Sequence, residues 1–268
     1  MKLAIVVRGG WEGHQPVETT DLFIPFLESN GYAVQVHDSP SVYADEDATA
    51  HADLIVQSVS ISTISAEELS GLRRAVEAGT GLAGWHGGIL GAYPNPAYLQ
   101  LVGGVFVDHP PRDPATSRGD ADDNYRPHTI AVAPGAANHP IMAGIHDFEL
   151  NTEQYWVLSD EYNEVLATTT LAARPWDAWR EPVTCPAVWT PPLGRRSRVR
   201  VHAWASRRGA RGSERAHDRA ARDVVGESVG TPSASWDAGA HDGVGLPARV
   251  VRLGLLPLRS TARRAPHY

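Results

Sequence analysis

The stretch of this chain best suited to chemistry is Gly84-Trp85-His86-Gly87-Gly88, which follows the apolar run Gly81-Leu82-Ala83. Glycines on both sides of a reactive side chain let the backbone turn sharply out of a strand. The central residue is then lifted above the sheet edge, in the manner of a nucleophile elbow. Here that residue is a histidine. An imidazole serves as a base, a proton donor or a metal ligand, but it does not replace the usual Ser or Cys nucleophile. The pattern points to a hydrolase-like scaffold without its nucleophile; the plainer alternative is a glycine-rich strand end carrying a surface histidine.

The elements that must position His86 read as an alternation of strands and helices. Lys2–Arg8 is a β-branched, apolar strand, followed by a polar loop, Gly9–Gln15. Pro16–Asn30 reads as one helix: proline fits the first turn, Val17, Phe23, Ile24 and Leu27 lie near one face, and Gly31 stops it. Strands are expected at Ala33–His37, Ala52–Gln57 and Gly81–Trp85. A helix opens at Ser65-Ala66-Glu67-Glu68, with a polar cap and an acidic first turn, and ends at Gly79. This rhythm predicts an α/β fold, a parallel sheet with helices on both faces. Ligands collect at the carboxyl ends of the strands in such sheets. Both Gly9–Gln15 and Trp85–Gly91 follow strands, so both belong on that edge. Beyond Asn95 the chain is less regular: a short helix at Asn95–Gly103, a polar loop at Pro110–Asn124, and strands at Pro127–Ala133, Asn163–Thr170 and Cys185–Thr190.

Composition narrows the classes. The 268 residues contain one cysteine, Cys185, which excludes an internal disulfide and a cysteine-based metal cluster and suits a reducing cytoplasm. No run approaches the ~18 apolar residues of a membrane span, and the apolar start, Leu3–Val7, is too short for a signal peptide. Net charge is −7, but unevenly spread. Residues 1–193 carry 9 Lys+Arg against 25 Asp+Glu, and residues 194–268 carry 15 against 6. The chain has an acidic body and a basic tail.

Several segments together resemble one family: Gly9-Gly10-Trp11-Glu12-Gly13-His14, the elbow itself, Asn95-Pro96-Ala97-Tyr98 with Val102-Gly103-Gly104, His109-Pro110, His139-Pro140-Ile141-Met142-Ala143-Gly144-Ile145 with Phe148, Thr152-Glu153-Gln154-Tyr155, Asn163–Ala167, and Pro186-Ala187-Val188-Trp189. In this order, over about residues 1–190, they resemble the ThuA-like, trehalose-utilisation family. The resemblance implies a flavodoxin-like, class I glutamine amidotransferase-like fold and a link to catabolism of trehalose and related disaccharides or keto-sugars. Amidotransferases carry cysteine at the elbow. His86 stands there instead, and Cys185 lies far downstream, so glutaminase activity is not expected.

Four residues in these motifs have side chains suited to chemistry: His14, His86, His109 and Glu153. Three imidazoles and a carboxylate suit Zn²⁺ or another divalent ion; the same set could run acid–base chemistry on a sugar without metal, with His86 and Glu153 moving the proton. A third reading makes them polar loop residues that hold the sheet edge together. Trp11 and Tyr155 could stack on a sugar ring or simply pack. His128 and His139 read as structural, His37 and His146 as surface residues, and Asp120, Asp122 and Asp123 as a solvated loop lacking the spacing of a calcium site. The expected partner is a small sugar, with no nucleotide cofactor, nucleic acid or membrane; self-association into a homo-oligomer is compatible with this reading. A carbohydrate-binding or regulatory protein without turnover is the alternative.

The expected domain is 1–193. From Gly194 the family's last strand, its Leu-Gly-His turn and its final helix are not evident, and residues 194–268 read as a basic, low-order tail. Read from the second base of the Arg196 codon with chosen synonymous codons, the tail can spell the missing strand, turn and helix and then a stop. The expectation is a frameshifted, inactive or unstable product from about residue 191.

Overall fold

The computed structural model describes residues 1–119, 121–193 and 197–202. The first half forms as its pattern dictates. Strand β1 (Lys2–Gly10) is buried along its Ala-Ile-Val-Val centre, as befits a parallel strand covered on both faces. The helix expected over Pro16–Asn30 is two short ones, α1 (Pro16–Asp21) and α2 (Ile24–Ser29). Pro25 explains the break, because it lacks an N–H and its ring crowds the carbonyl four residues back, at Asp21. Then come β2 (Tyr32–His37), the short α3 (Glu46–Ala50) and the wholly buried β3 (Leu54–Ser60). Helix α4 (Ala66–Ala78) starts at a capping box: the Glu68 N–H donates to Ser65 Oγ at 3.2 Å, and the Ser65 N–H donates to Glu68 Oε2 at 2.7 Å. Strand β4 (Gly81–Trp85) runs straight into the elbow. Helix α5 (Pro96–Val102) is capped by Asn95, whose Oδ1 accepts from Ala97 and Tyr98.

The second half is antiparallel, which the sequence did not foreshadow. It comprises β5 (Val105–Asp108), β6 (Tyr125–Val132), β7 (Phe148–Glu153), β8 (Trp156–Leu158), β9 (Glu164–Leu171), β10 (Val183–Thr190), β11 (Pro192–Leu193) and β12 (Ser197–His202). The main sheet runs β2-β1-β3-β4-β12-β10-β9-β6-β7, with β11 paired to β12, while β5 and β8 form a separate two-stranded ribbon. From β2 through β12 all pairings are parallel; from β12 to β7 all are antiparallel.

Strand β12 lies within the segment expected to lack one. Its backbone fills the slot between β4 and β10, bringing residue 202 level with Trp85. The sequence Ser-Arg-Val-Arg-Val-His alternates β-branched residues at Val199 and Val201, enough for a strand whose neighbours on both sides are already in place. Residues 194–196 and 203–268, on which the rest of the tail expectation falls, lie outside the described residues.

Three apolar clusters hold the layers together. One face of the parallel sheet packs Ile5, Val7, Ile55 and Leu82 against Leu72 and Val76 of α4 and Tyr98 and Val102 of α5. The other packs Ala4, Val6, Val56 and Trp85 against Phe23 and Leu27. The antiparallel half has its own core around Ile130, Met142, Leu166 and Val188. Trp189 joins the halves: it sits on β10, is fully buried in the first cluster, and its Nε1–H donates to the Val102 carbonyl at 3.0 Å.

Candidate functional site

His86 sits at the turn out of β4 with φ 54°. That left-handed conformation is uncommon for a residue with a Cβ and is held only where the surroundings over-determine it. Its surroundings do so. The His86 carbonyl accepts from the Ile89 and Leu90 N–H groups, and the Gly87 carbonyl from Gly91. Beneath the turn, the fully buried Gln57 donates to the Gly88 carbonyl and to Tyr98 Oη, accepts from Tyr43 Oη, and Tyr98 in turn donates to the Ile89 carbonyl. Burial pushes both tyrosine hydroxyls well above their ordinary pKa, so they remain protonated donors.

His14 reaches the same place from the loop after β1. Its ring meets the His86 ring edge-on at 4.7 Å and the Trp11 ring at 4.7 Å. This approach requires the glycine at 87, since a Cβ there would lie 2.2 Å from His14 Cε1. It also requires the one at 10, where φ is +80° and a Cβ would lie 1.8 Å from the Ser60 carbonyl oxygen. The other members come from the antiparallel half. Glu153 ends β7, and His109 follows β5. His86 Nε2 is hydrogen-bonded to Glu153 Oε2, while His109 Nε2 lies 3.7 Å from Glu153 Oε1. His109 Nδ1 meets the Gln154 carbonyl at 3.2 Å. A carbonyl only accepts, so this contact fixes the proton of neutral His109 on Nδ1 and leaves the Nε2 lone pair turned toward the cluster.

The electrostatics follow from burial. Desolvation, aided by neighbouring His86, lowers His14 to about 3, and desolvation lowers His109 too; both imidazoles are neutral near pH 7. Burial alone would raise Glu153, but the facing histidines, His86 foremost, outweigh it and hold the carboxyl near about 2. The cluster therefore combines an anchored carboxylate, a histidine donating to it, and a second histidine with a free basic nitrogen.

A model of the trehalose-utilisation family, ThuA, matches residues 3–227. The chain belongs to the ThuA family. The match extends beyond residue 193, past the point where the motifs stop being evident by eye. The fold agrees: a ThuA-like protein from Bacteroides uniformis ATCC 8492 is similar at 18% identity and TM-score 0.56, over 75% of this chain and 81% of that one. A ThuA-like protein from Parabacteroides merdae ATCC 43184 is similar at 14% identity and TM-score 0.56, over 78% and 81%. No curated protein matches the sequence. Among the described residues of this ThuA chain, no helix is long and apolar enough to cross a membrane.

The four residues singled out by sequence thus converge on one cluster. Among the described residues, no group of three or more His, Cys, Asp or Glu side chains is arranged to hold a metal ion. His86 Nε2 and Glu153 Oε2 engage each other directly. Tyr155 packs, one of the two roles left open for it. Its ring is buried against His86, His109 and Phe106, at 4.9, 4.9 and 4.5 Å, and its hydroxyl is hydrogen-bonded to the Gly87 backbone. No face is open for a sugar, so Tyr155 walls the cluster. Trp11 is half-buried, edge-on to His14.

Other histidines fall as expected or near it: His128 Nδ1 meets the Arg126 carbonyl, the Ile141 N–H donates to His139 Nδ1 in a turn, and His146 is exposed, whereas His37 is half-buried. The Asp123 carboxylate accepts from Ser117 and from the Arg118 and Gly119 N–H groups, so it latches its own loop. Cys185 is a free, buried thiol. Gln57, Gln154, Phe106 and Arg126 support the site without any motif that would have announced them; only their long-range partners give them a role.

Proposed function

We propose that this ThuA-family chain acts in the cytoplasm on a small carbohydrate of trehalose utilisation, a disaccharide or keto-sugar, by proton transfer at His86, Glu153 and His109. The observation that carries this reading is the tautomer of His109. Its Nδ1–H is spent on the Gln154 carbonyl, so Nε2 is a base, kept unprotonated near neutral pH by burial. It can take a proton from a carbon or hydroxyl of the sugar. Protonated His109 can give that proton back; His86, its Nε2–H held by Glu153, can take a proton on its other ring nitrogen and return it, because the anchored carboxylate stabilises the imidazolium that forms. His14, neutral and half-buried, completes the wall.

The test is turnover of trehalose and its keto derivative, followed by NMR in D₂O so that exchange at carbon is seen. His86→Ala and Glu153→Gln should each lower the rate about 10²–10⁴-fold, and a chelator should change nothing. Stoichiometric zinc in active protein, lost together with activity on chelation, would overturn the metal-free reading. The near-complete enclosure of Glu153, whose side chain is 13% exposed, favours a second reading, sugar binding without turnover. Saturable binding with no exchange and no product would select it.

A further inference from the structure

Arg126 lies outside the cluster of His14, His86, His109 and Glu153. It sits on β6 opposite Thr152, one position along from the Tyr125–Glu153 pair, so its side chain leaves the opposite face of the strand from Glu153's neighbour. It is 7% exposed, which is rare for arginine. Two of its nitrogens, Nε and Nη1, have no hydrogen-bond partner among the described residues, and neither does Oδ1 of the buried Asp177. An apolar side chain would fill this position at lower cost than a partly satisfied guanidinium.

What the guanidinium does supply is a donor to one particular oxygen. Nη2 donates to the carbonyl of Pro110, the residue after His109. The next carbonyl, Pro111, accepts from Arg174 Nη1 at 3.4 Å and from Trp176 Nε1 at 3.3 Å. The Arg174 guanidinium lies 5.9 Å over the Trp176 ring, which steadies both donors. Three donors from two elements thus grip consecutive prolines that have no N–H groups with which to anchor themselves. On the other side, Gln154 is fixed by its own side chain, donating to Thr169 Oγ1 at 2.8 Å and to the Thr170 carbonyl at 3.2 Å. His109 is held between these two fixed points.

We propose that Arg126 is a positioning residue, which clamps the Pro110 carbonyl so that His109 keeps Nδ1–H on Gln154 and presents Nε2 to the cluster. The proposal deepens the proton-transfer reading of the site and rests on it for its effect on rate, though not for its effect on His109. Arg126→Met leaves the strand and removes the donor; Arg126→Lys keeps a donor of similar reach.

The decisive measurement is the tautomer of His109 in the full-length chain, read from ¹⁵N shifts of the labelled imidazole, with turnover as a function of pH alongside. In the wild type a single Nδ1–H tautomer is expected. Arg126→Met should give a mixture, a roughly 10- to 100-fold fall in kcat with KM little changed, and a displaced acidic limb of the pH profile, where a general base titrates; Arg126→Lys should recover most of each. An unchanged tautomer and pH profile in Arg126→Met, with only a lowered Tm, would overturn the clamp and leave Arg126 a stability residue. Should Arg126→Met not fold, the same readout on Arg126→Gln decides, because that change keeps a polar side chain but is too short to bring a donor to the Pro110 carbonyl as the guanidinium does. Absence of turnover in the wild type would sink the proton-transfer reading, and the tautomer would then decide the clamp by itself.

Discussion

His14 and His86 stand on the parallel half of the sheet, where each is delivered by the carboxyl end of a buried strand and locked by backbone contacts: Gly87 against His14, and the Gln57 network beneath the elbow. His109 and Glu153 come from the antiparallel half, where the supports are side chains reaching across loops: Gln154 to Thr169, Arg126 to Pro110 and Trp176 to Pro111. One half places its groups by geometry that tolerates almost no change at a glycine. The other uses donors that could each be exchanged. The comparison teaches that the rigid half fixes where the chemistry occurs, whereas the adjustable half sets which nitrogen carries the proton.

The harshest way to break this pairing is at the seam. Trp189 belongs to β10 but is buried against α5, so Trp189→Ala should cost about 3–5 kcal/mol. Urea denaturation checks this, and should still show one transition if the halves are cooperative; two transitions would mean that each half stands alone.

Acid should loosen the cluster with a definite order. His14 and His109 have lowered pKa values in the folded state, so the unfolded chain binds more protons and stability rises with pH. The His14 contribution is complete above its ordinary value of 6.5 and drains as pH falls toward about 3. Glu153 is likewise lowered, and its contribution is complete above 4.5 and drains toward about 2. Tm should therefore begin to fall below pH ~6.5, and His14→Gln should flatten the first part of that fall while leaving the part below pH ~4.5. A wild-type Tm constant from pH 7.5 to 5 would contradict the burial of these imidazoles.

The smallest effect belongs to the rigid half alone. Ser65→Ala removes one side of the α4 capping box and should cost about 1 kcal/mol. Hydrogen exchange should quicken in α4 and leave β6, β7 and β9 unaltered, which would sharpen the line between the halves.

Sequence reading reached the two halves unequally, for a physical reason. β1, β3, β4 and α4 are buried on a full face or two, so apolar runs and a capping box announce them. The elbow was legible because glycines beside His86 have a local geometric meaning. β5, β7 and β8 are short or half-exposed, with burial patterns that carry no clean alternation, and α3 has only five residues. The four cluster residues were found through motif resemblance, yet their spacing gave no hint of which atoms would meet. The direct His86–Glu153 contact, the walled-in Tyr155 and the grip on Pro110 all depend on chain segments tens of residues apart. Such contacts leave no periodic trace.

The place of β12 in the sheet has a bearing on how the molecule is made. Until residue 202 has left the ribosome, β4 and β10 each present an unpaired inner edge, and the sheet has a gap at its middle rather than at its rim. A nascent chain of 190 residues could complete the parallel strands and fold the β9–β10 hairpin, but the two could not be hydrogen-bonded into one sheet. Edges of that kind invite strands from other chains. Synthesis past β10 is thus the interval in which this protein is most exposed to aggregation, and a chaperone that shields sheet edges would act on it there.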